Sequence, residues 1–338
     1  MKARRAKLQL KYNNADISED LERYLISFSY TDNASGKADD LQITLEDRQG
    51  LWKNDWFPEK GATLEASIIT SNWEQNGNEE TLPCGTFEID EIECSGSPET
   101  VTIKAVSVPE SSSLRGEVKT RAWEKTKLSV IANDIASGAG LKLIYDTEDD
   151  PGHDRIEQIE QSDLSFLQKL CDGAGLSLKV TDQQIVIFDD SKYEQLEPVM
   201  TIKRGVTNIL RYSAISATRE IYSSCLVKYH NSDSNDNIEY LYVPPNRPAT
   251  GKKLVINEQV ASVQEAEKLA KKRLRQQNKE EVKVSMTLLG KLALVGGVTV
   301  LLEGFGVFDG KYFTEQASHS GGSGYTTQID LRRVLEGY

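Results

Sequence analysis

The side chains here whose chemistry could go beyond packing are three histidines, four cysteines, a carboxylate-rich loop and a few tryptophans. His153, His230 and His319 are scattered, and none stands with a second His or Cys at a metal-binding spacing such as HxxxH. His153 falls in an acidic loop and His319 in a Ser/Gly turn, so both are expected to be solvated. Cys84, Cys94, Cys171 and Cys225 contain no CxxC pair. Cys84 and Cys94 bracket one expected strand, and at about 3.3 Å per residue they stand beyond disulfide reach. All four read as reduced, mostly buried thiols of a protein made in the cytosol. The run Asp146 to Asp154 also holds Glu148, Asp149 and Asp150 and would attract a cation. It lacks the DxDxDG order of a calcium loop, so a surface turn is the better reading. GxSxG, HExxH and Walker A sequences are absent. Glycoside hydrolysis needs two carboxylates across a cleft, and no pair stands out among 52 acidic residues. Sequence chemistry therefore assigns no catalytic, cofactor-binding or metal-binding residue, and no enzyme is expected.

The chain has 338 residues, enough for two or three domains, and a formal net charge of -12. That balance argues against a general nucleic-acid binder, which needs clustered Lys and Arg. No apolar run reaches the ~18–20 residues of a membrane helix; the longest, Leu288 to Leu302, is broken by Gly290, Lys291, Gly296, Gly297 and Thr299. Met1 to Tyr12 is basic without an apolar stretch, so it reads as an opening strand rather than a signal peptide.

Residues 1–118 alternate with period two at Leu41–Leu45, Leu64–Ile68, Phe87–Ile92 and Val101–Ala105, the pattern of half-buried strands. Residues 71–81 are expected to be a long polar loop. Trp52, Trp56 and Phe57 are expected to anchor the loop from Asp47 to Pro58. In residues 119–197 the period becomes helical. Leu128, Ile131, Ala132 and Ile135 precede Gly138-Ala139-Gly140 and a strand at Leu141–Tyr145. Leu164, Phe166, Leu167 and Leu170 precede Gly173-Ala174-Gly175 and a strand at Leu176–Val180. Glycines that follow helices act as left-handed caps, whereas a phosphate loop places them between strand and helix. A hairpin from Val180 to Phe188 closes this small α+β module. Residues 198–338 return to β character, with strands near 209–218, 223–230 and 239–243 and an extended loop at Pro244–Pro248. A helix is expected over 262–279, capped by Ser262 with Glu265. Its basic residues Lys268, Lys271, Lys272, Arg273 and Arg275 read as a solvated face that suits the helix dipole; contact with an acidic surface is the alternative.

Both β-rich ends repeat one hairpin phrase. Gly85-Thr86-Phe87-Glu88 leads to Ser95-Gly96-Ser97 and a Thr-rich strand at Thr100–Ile103. Gly310-Lys311-Tyr312-Phe313 leads to Ser320-Gly321-Gly322 and a strand at Tyr325–Ile329. We read this as an internal duplication.

The segment Gln161-Ser162-Asp163-Leu164-Ser165-Phe166-Leu167-Gln168-Lys169-Leu170-Cys171-Asp172-Gly173-Ala174-Gly175-Leu176 resembles the ESDLxFLxxLxxxxG helix of the phage late control D family. That family comprises baseplate hub proteins of contractile phage tails and is related to the hub part of type VI secretion spike proteins. Gly304 to Phe313 followed by Tyr325 to Arg333 is similar to the end of Gram-positive-type hub proteins. The resemblance implies a mainly β fold with an α+β insertion, two tube-like β-barrel domains (1–118 and 198–338) flanking the module (119–197). It implies a homotrimeric ring that joins tail tube protein to spike protein, among other baseplate proteins. DNA would be a passing cargo, not a bound ligand, and net acidity in the lumen would repel it. The expected location is a virion or tail-like particle, from a phage, a prophage or a tailocin, assembled in the bacterial host cytoplasm. The chain stops at Tyr338 with no spike β-helix or lysozyme-like domain, which are then expected as separate proteins. Two other functions fit the residues: a carbohydrate- or peptidoglycan-binding β module using Trp52, Trp56 and Trp73, and a cell-wall hydrolase.

Overall fold

The computed structural model describes residues 3–108, 112–181, 183–231, 236–246, 251–260 and 262–337. Its first part runs β1 (Arg5–Tyr12), β2 (Ala15–Asp16), α1 (Ser18–Glu22), β3 (Leu25–Asn33), β4 (Asp40–Glu46), β5 (Thr63–Ser71), β6 (Glu79–Ser95) and β7 (Thr100–Val106). The strands lie in the order β3-β4-β7-β6-β5-β1, each antiparallel to its neighbour. Alternation explains their faces: Leu41, Ile43 and Leu45 are buried, while Gln42 and Thr44 point outward. Leu8, Phe28, Ile43, Ile68, Phe87 and Ile103, one from each of the six strands, meet in one core, so the sheet curls on itself. The expected loop over 71–81 is shorter than predicted. Ser71 already pairs with Glu79, and only residues 72–78 turn. The start of β6 is exposed on both faces, so it carries no apolar alternation to read.

The second part contains β8 (Val118–Lys127), α2 (Leu128–Gly138), β9 (Lys142–Asp146), β10 (Gly152–Ser162), α3 (Asp163–Ala174), β11 (Ser177–Val180), β12 (Gln184–Phe188) and α4 (Asp190–Glu194). Helices α2 and α3 share a core with the sheet β11-β12-β9 through Leu128, Ile131, Phe166, Leu167, Ile185 and Ile187. Strand β9 runs parallel to β12. The two glycine stops form as expected. Gly140 and Gly175 take φ of 70° and 67°, the left-handed region that side chains with a Cβ disfavour. The Ser162 hydroxyl accepts from the Ser165 N–H and starts α3. Strands β8 and β10 form a separate two-stranded ribbon that period-two patterning did not predict. Their inward face carries Lys119, Arg121 and buried Gln158 beside Trp123 and Ile156, so no apolar alternation marks it.

The third part has β13 (Met200–Lys203), β14 (Ile209–Ser216), β15 (Ser224–Asn231), β16 (Asp236–Tyr242), β17 (Lys253–Ile256), α5 (Val263–Asn278), β18 (Val282–Leu289), β19 (Thr299–Glu303), β20 (Gly310–Gly321) and β21 (Thr326–Arg333). The order β14-β18-β21-β20-β19 copies the order β3-β4-β7-β6-β5, strand for strand. The sixth strands differ: β13 joins β19 in parallel, whereas β1 joins β5 antiparallel. Val284, Met286, Leu288, Val300, Tyr312 and Ile329 form this half's own core. Strands β15–β17 and α5 are inserted between β14 and β18, with their own core at Cys225, Val227, Ala266, Ala270 and Leu274. Ser262 caps α5 as expected by accepting from the Glu265 N–H. The expected loop at Pro244–Pro248 lies partly outside the described residues, as does the side chain of His230. The fold is mainly β, and β20 pairs with β3, so one sheet of thirteen strands runs through both halves.

Candidate functional site

The residues with the most unusual environments lie where the three parts meet. The seam between the β halves is the β3–β20 ladder, from Gln316 opposite Asn33 to Gly321 opposite Phe28. Gly321 allows this approach, and Gly290 makes room for Tyr325 within the third part. A Cβ on Gly321 would sit 2.2 Å from the Phe28 ring, and one on Gly290 would sit 2.0 Å from the Tyr325 ring. An aromatic row crosses the seam. Tyr30 stacks on His319 at 6.1 Å, His319 on Tyr325 at 6.0 Å, and Trp73 meets Tyr325 edge-on at 5.3 Å. The Trp73 indole N–H donates to the Gly290 carbonyl at 2.7 Å.

His319 corrects the expectation of a solvated turn: it lies inside β20 and is fully buried. Its Nε2 lies 2.9 Å from the Leu294 carbonyl, which can only accept, so Nε2 carries the proton. Nδ1 then accepts from the Tyr325 hydroxyl at 2.7 Å. Burial pushes the imidazole below its ordinary value and keeps it neutral. Ser318 and Ser320 mimic a turn in sequence but are the outward positions of a strand. His153 is not in a loop either; it is half-buried in β10, opposite Thr126.

Two polar knots tie the parts together. Lys179 of β11 reaches Asp32 at 2.5 Å, the Asn33 carbonyl at 2.7 Å and Asp39 at 3.2 Å. Asp32 also accepts from the Gly296 N–H at 2.9 Å, so one carboxylate holds all three parts. Burial pushes Asp39 up to about 6, against the pull of Lys179. In the second knot, fully buried Arg332 of β21 pairs with Glu194, with Asp190 at 2.8 Å and with Glu315 at 3.4 Å. Glu194 also takes Arg275 of α5 at 2.6 Å.

The basic face of α5 is therefore not simply solvated. Lys272 contacts Asp149 at 2.7 Å and the Ala174 carbonyl at 2.9 Å. The acidic surface that this helix meets belongs to the chain's own module. The acidic loop is dispersed in the same way. Asp146 pairs with Lys192 and Tyr193, and Asp150 accepts from the Ser129 N–H at the start of α2. Among the described residues, no group of three or more His, Cys, Asp or Glu could hold a metal. Cys84, Cys171 and Cys225 are buried, Cys94 is exposed, and none is disulfide-bonded. Burial pushes the Cys84 and Cys171 thiols up to about 12, so neither is a nucleophile. Of the tryptophans weighed for sugar stacking, Trp52 is buried, Trp73 is bound at the seam, and Trp56 packs at right angles to Trp52 and Tyr24 with 43% of its surface exposed.

What remains exposed is strand edge and sheet face. Among the described residues, β14 leaves one edge unpaired at one end of the long sheet. Leu210 and Ile215 on it are each 60% exposed, and nearby Val206 is 72% exposed. At the other end, β1 is capped by β2 only at Lys11 and Tyr12. No described helix is long and apolar enough to cross a membrane.

No protein-family model matches the chain. It is 28% identical to a probable baseplate hub protein of Escherichia phage 186 over 233 residues, covering 66% of this chain and 56% of that one. It is 31% identical to a probable baseplate hub protein of Escherichia phage P2 over 186 residues, covering 51% and 42%. The chain thus spans about half the length of the curated relatives it matches. Among solved structures, a tail protein from Neisseria meningitidis MC58 superposes with a TM-score of 0.72 at 14% identity, over 97% of this chain and 96% of that one. A tail protein of prophage MuSo2 from Shewanella oneidensis gives 0.71 at 16% identity, over 97% and 98%. The type VI secretion component c3393 of E. coli gives 0.57 at 12% identity, over 99% and 78%. The chain is similar in sequence to proteins named as probable baseplate hub proteins, and its fold is that of solved phage tail proteins.

Proposed function

We propose that this chain is a structural baseplate hub of a contractile tail or phage-tail-like particle. It forms a homotrimeric ring that joins the tail tube to the central spike. The observation that carries this is the repeated strand order, β3-β4-β7-β6-β5 and β14-β18-β21-β20-β19, within one sheet. Two like halves per chain give a trimer six like positions. A threefold object then presents a sixfold face to a tube and a threefold face to a spike. The halves correspond to tube-like domains at 1–118 and 198–338, with the module at 119–197 between them. Free edges at β14 and β1 suit head-to-tail pairing that closes into a ring instead of growing into fibres. The likeness to hub and tail proteins supports the same conclusion. The role is mechanical and not catalytic, and DNA passes through without being held. The chain works in the baseplate of the particle, after assembly in the bacterial host cytoplasm.

Light scattering tests this directly. A mass near three times 37.7 kDa is expected for the chain alone, or three copies of the chain per complex once tube and spike partners are added. A chain that stays monomeric under all of these conditions overturns the proposal.

A further inference from the structure

The two β halves match position by position along the strands that form the seam. The first strand of each order bulges, at Ile26 in β3 and at Leu210 in β14. The fourth bulges at Asp90 in β6 and at Glu315 in β20. Just before that bulge, a glycine turn bonds the strand in the same way in both. The Gly61 N–H donates to the Ile89 carbonyl at 3.0 Å, and the Ile89 N–H donates to the Ala62 carbonyl. The Gly297 N–H donates to the Thr314 carbonyl at 2.9 Å, and the Thr314 N–H donates to the Val298 carbonyl. These marks make residues 91–96 equivalent to 316–321, and 212–217 equivalent to 28–33.

The seam pairs 316–321 with 28–33. Its equivalent, 91–96 with 212–217, is not made within the chain. Among the described residues, β6 beyond Ile89 pairs only with β7, and β14 pairs only with β18. Burial shows what is missing. Ala317 and His319 are fully buried at the seam, whereas their equivalents Ile92 and Cys94 are half-buried and exposed. Phe28 and Tyr30 are buried, whereas Tyr212 is exposed and Ala214 half-buried. The outward contact has its counterpart too. Ser29 meets Ser320 at 3.4 Å, and the equivalent residues are again serines, Ser213 and Ser95.

A clasp beside the seam repeats the pattern. Residues 72–78, between β5 and β6, reach the other half, where Trp73 bonds the Gly290 carbonyl and Glu74 pairs with Lys291 at 2.7 Å. Gly290 and Lys291 begin the connection from β18 to β19. The equivalent connections are 304–309, which carries Val307 at 83% exposure, and 47–62, which carries exposed Trp56 and Phe57. Both present apolar surface to solvent.

Bare strand edges take up a strand from another molecule through main-chain bonds. The β3–β20 ladder already fixes the halves of one chain, so β14 and β6 can meet only between two copies. Resting on the hub proposal, we infer that β14 of one chain adds antiparallel to residues 91–96 of the next. Ser213 then faces Ser95, and the Val307 turn lies against Trp56 and Phe57. Of the free edges, β14 thus takes this stretch of β6 and not β1, whose place in the second half belongs to the parallel strand β13. The contacts between chains then copy the contact within each chain.

Cross-linking of the full chain tests this. Ser95→Cys/Ser213→Cys in a Cys94→Ser background places two thiols at exposed positions, while Cys84, Cys171 and Cys225 stay buried. With diamide as oxidant, a covalent trimer is expected on a non-reducing denaturing gel. Ser95→Cys/Arg211→Cys, two residues out of register on the same face, should cross-link at least about tenfold less, because diagonal partners stand beyond disulfide reach. Separately, Val307→Asp should raise the concentration at which the trimer half dissociates by at least about tenfold. Equal yields from the two cysteine pairs, no cross-link in a protein of trimeric mass, or a Val307→Asp trimer as tight as wild type overturns the inference and leaves the hub proposal standing. A monomeric mass under every condition overturns the hub proposal, and the inference with it.

Discussion

Lys179 neutralises two carboxylates that burial would otherwise destabilise, Asp32 and Asp39. Replacing it with Met leaves both acids in a polar cavity without their cation. A loss of about 3–5 kcal/mol is expected on chemical denaturation; a loss under about 1 kcal/mol would mean that the knot is solvated. His319 makes a pH-dependent contribution with a definite sign. Its folded value lies below the ordinary one, so the unfolded chain takes up a proton first as pH falls. Its share of stability is intact above about pH 6.5 and declines below it. Asp39, raised to about 6, works oppositely: the folded chain binds its proton first, so stability gains from it as pH drops from 6 toward 4. Subtracting the stability profile of His319→Gln from that of wild type isolates the histidine, and a flat difference would refute its role. None of these partnerships was legible in sequence. Lys179 stands 147 positions from Asp32, and Arg332 stands 138 from Glu194, so no local spacing announces them. His319 was misread because its serine neighbours look like a turn.

Elements were far more legible, wherever one face is buried. The strands from Leu41, Leu64 and Val101, helices α2, α3 and α5, and the glycine stops all follow from periodicity and caps. The ribbon β8–β10 was not, because its inward face is largely Lys, Arg and Gln, nor was the start of β6, because a strand wet on both sides has no apolar rhythm. Glycines separate the two kinds of signal. Gly290 and Gly321 look like ordinary turn residues, yet each lies against an aromatic ring. Gly321→Ala should cost about 1–3 kcal/mol through overpacking against Phe28. Gly138→Ala, in helix α2 with open space around it, should be neutral or slightly stabilising. Thermal melts of the two variants check the contrast, and equal melting points would show that the seam has room for a methyl group.

At the scale of the molecule, the repeated hairpin phrase pointed to two related halves, and the matching strand orders agree. Their fusion through β3 and β20 was hidden, because neither strand marks its partner across nearly the whole chain. If the free edge at β14 closes the ring, Leu210→Lys/Ile215→Lys should leave the melting point of the subunit within a few degrees of wild type. The same change should drop the mass in light scattering from trimer to monomer. An unaltered trimer would place the contact elsewhere.

The corresponding connections in the two halves differ in a telling way. Strands β3 and β4 are joined by residues 34–39, whereas their counterparts β14 and β18 are joined by residues 217–281, which fold as β15–β17 and α5. Yet the flanking ladder still closes, with Ser216 opposite Val282. Loop-closure entropy grows only with the logarithm of length, so the sheet scarcely registers what hangs from this tip. The molecule thus carries a natural socket. The insert between β14 and β18 shows that this connection can take a folded unit while the strands below keep their register, and here that unit reaches back to the module through Lys272 and Arg275.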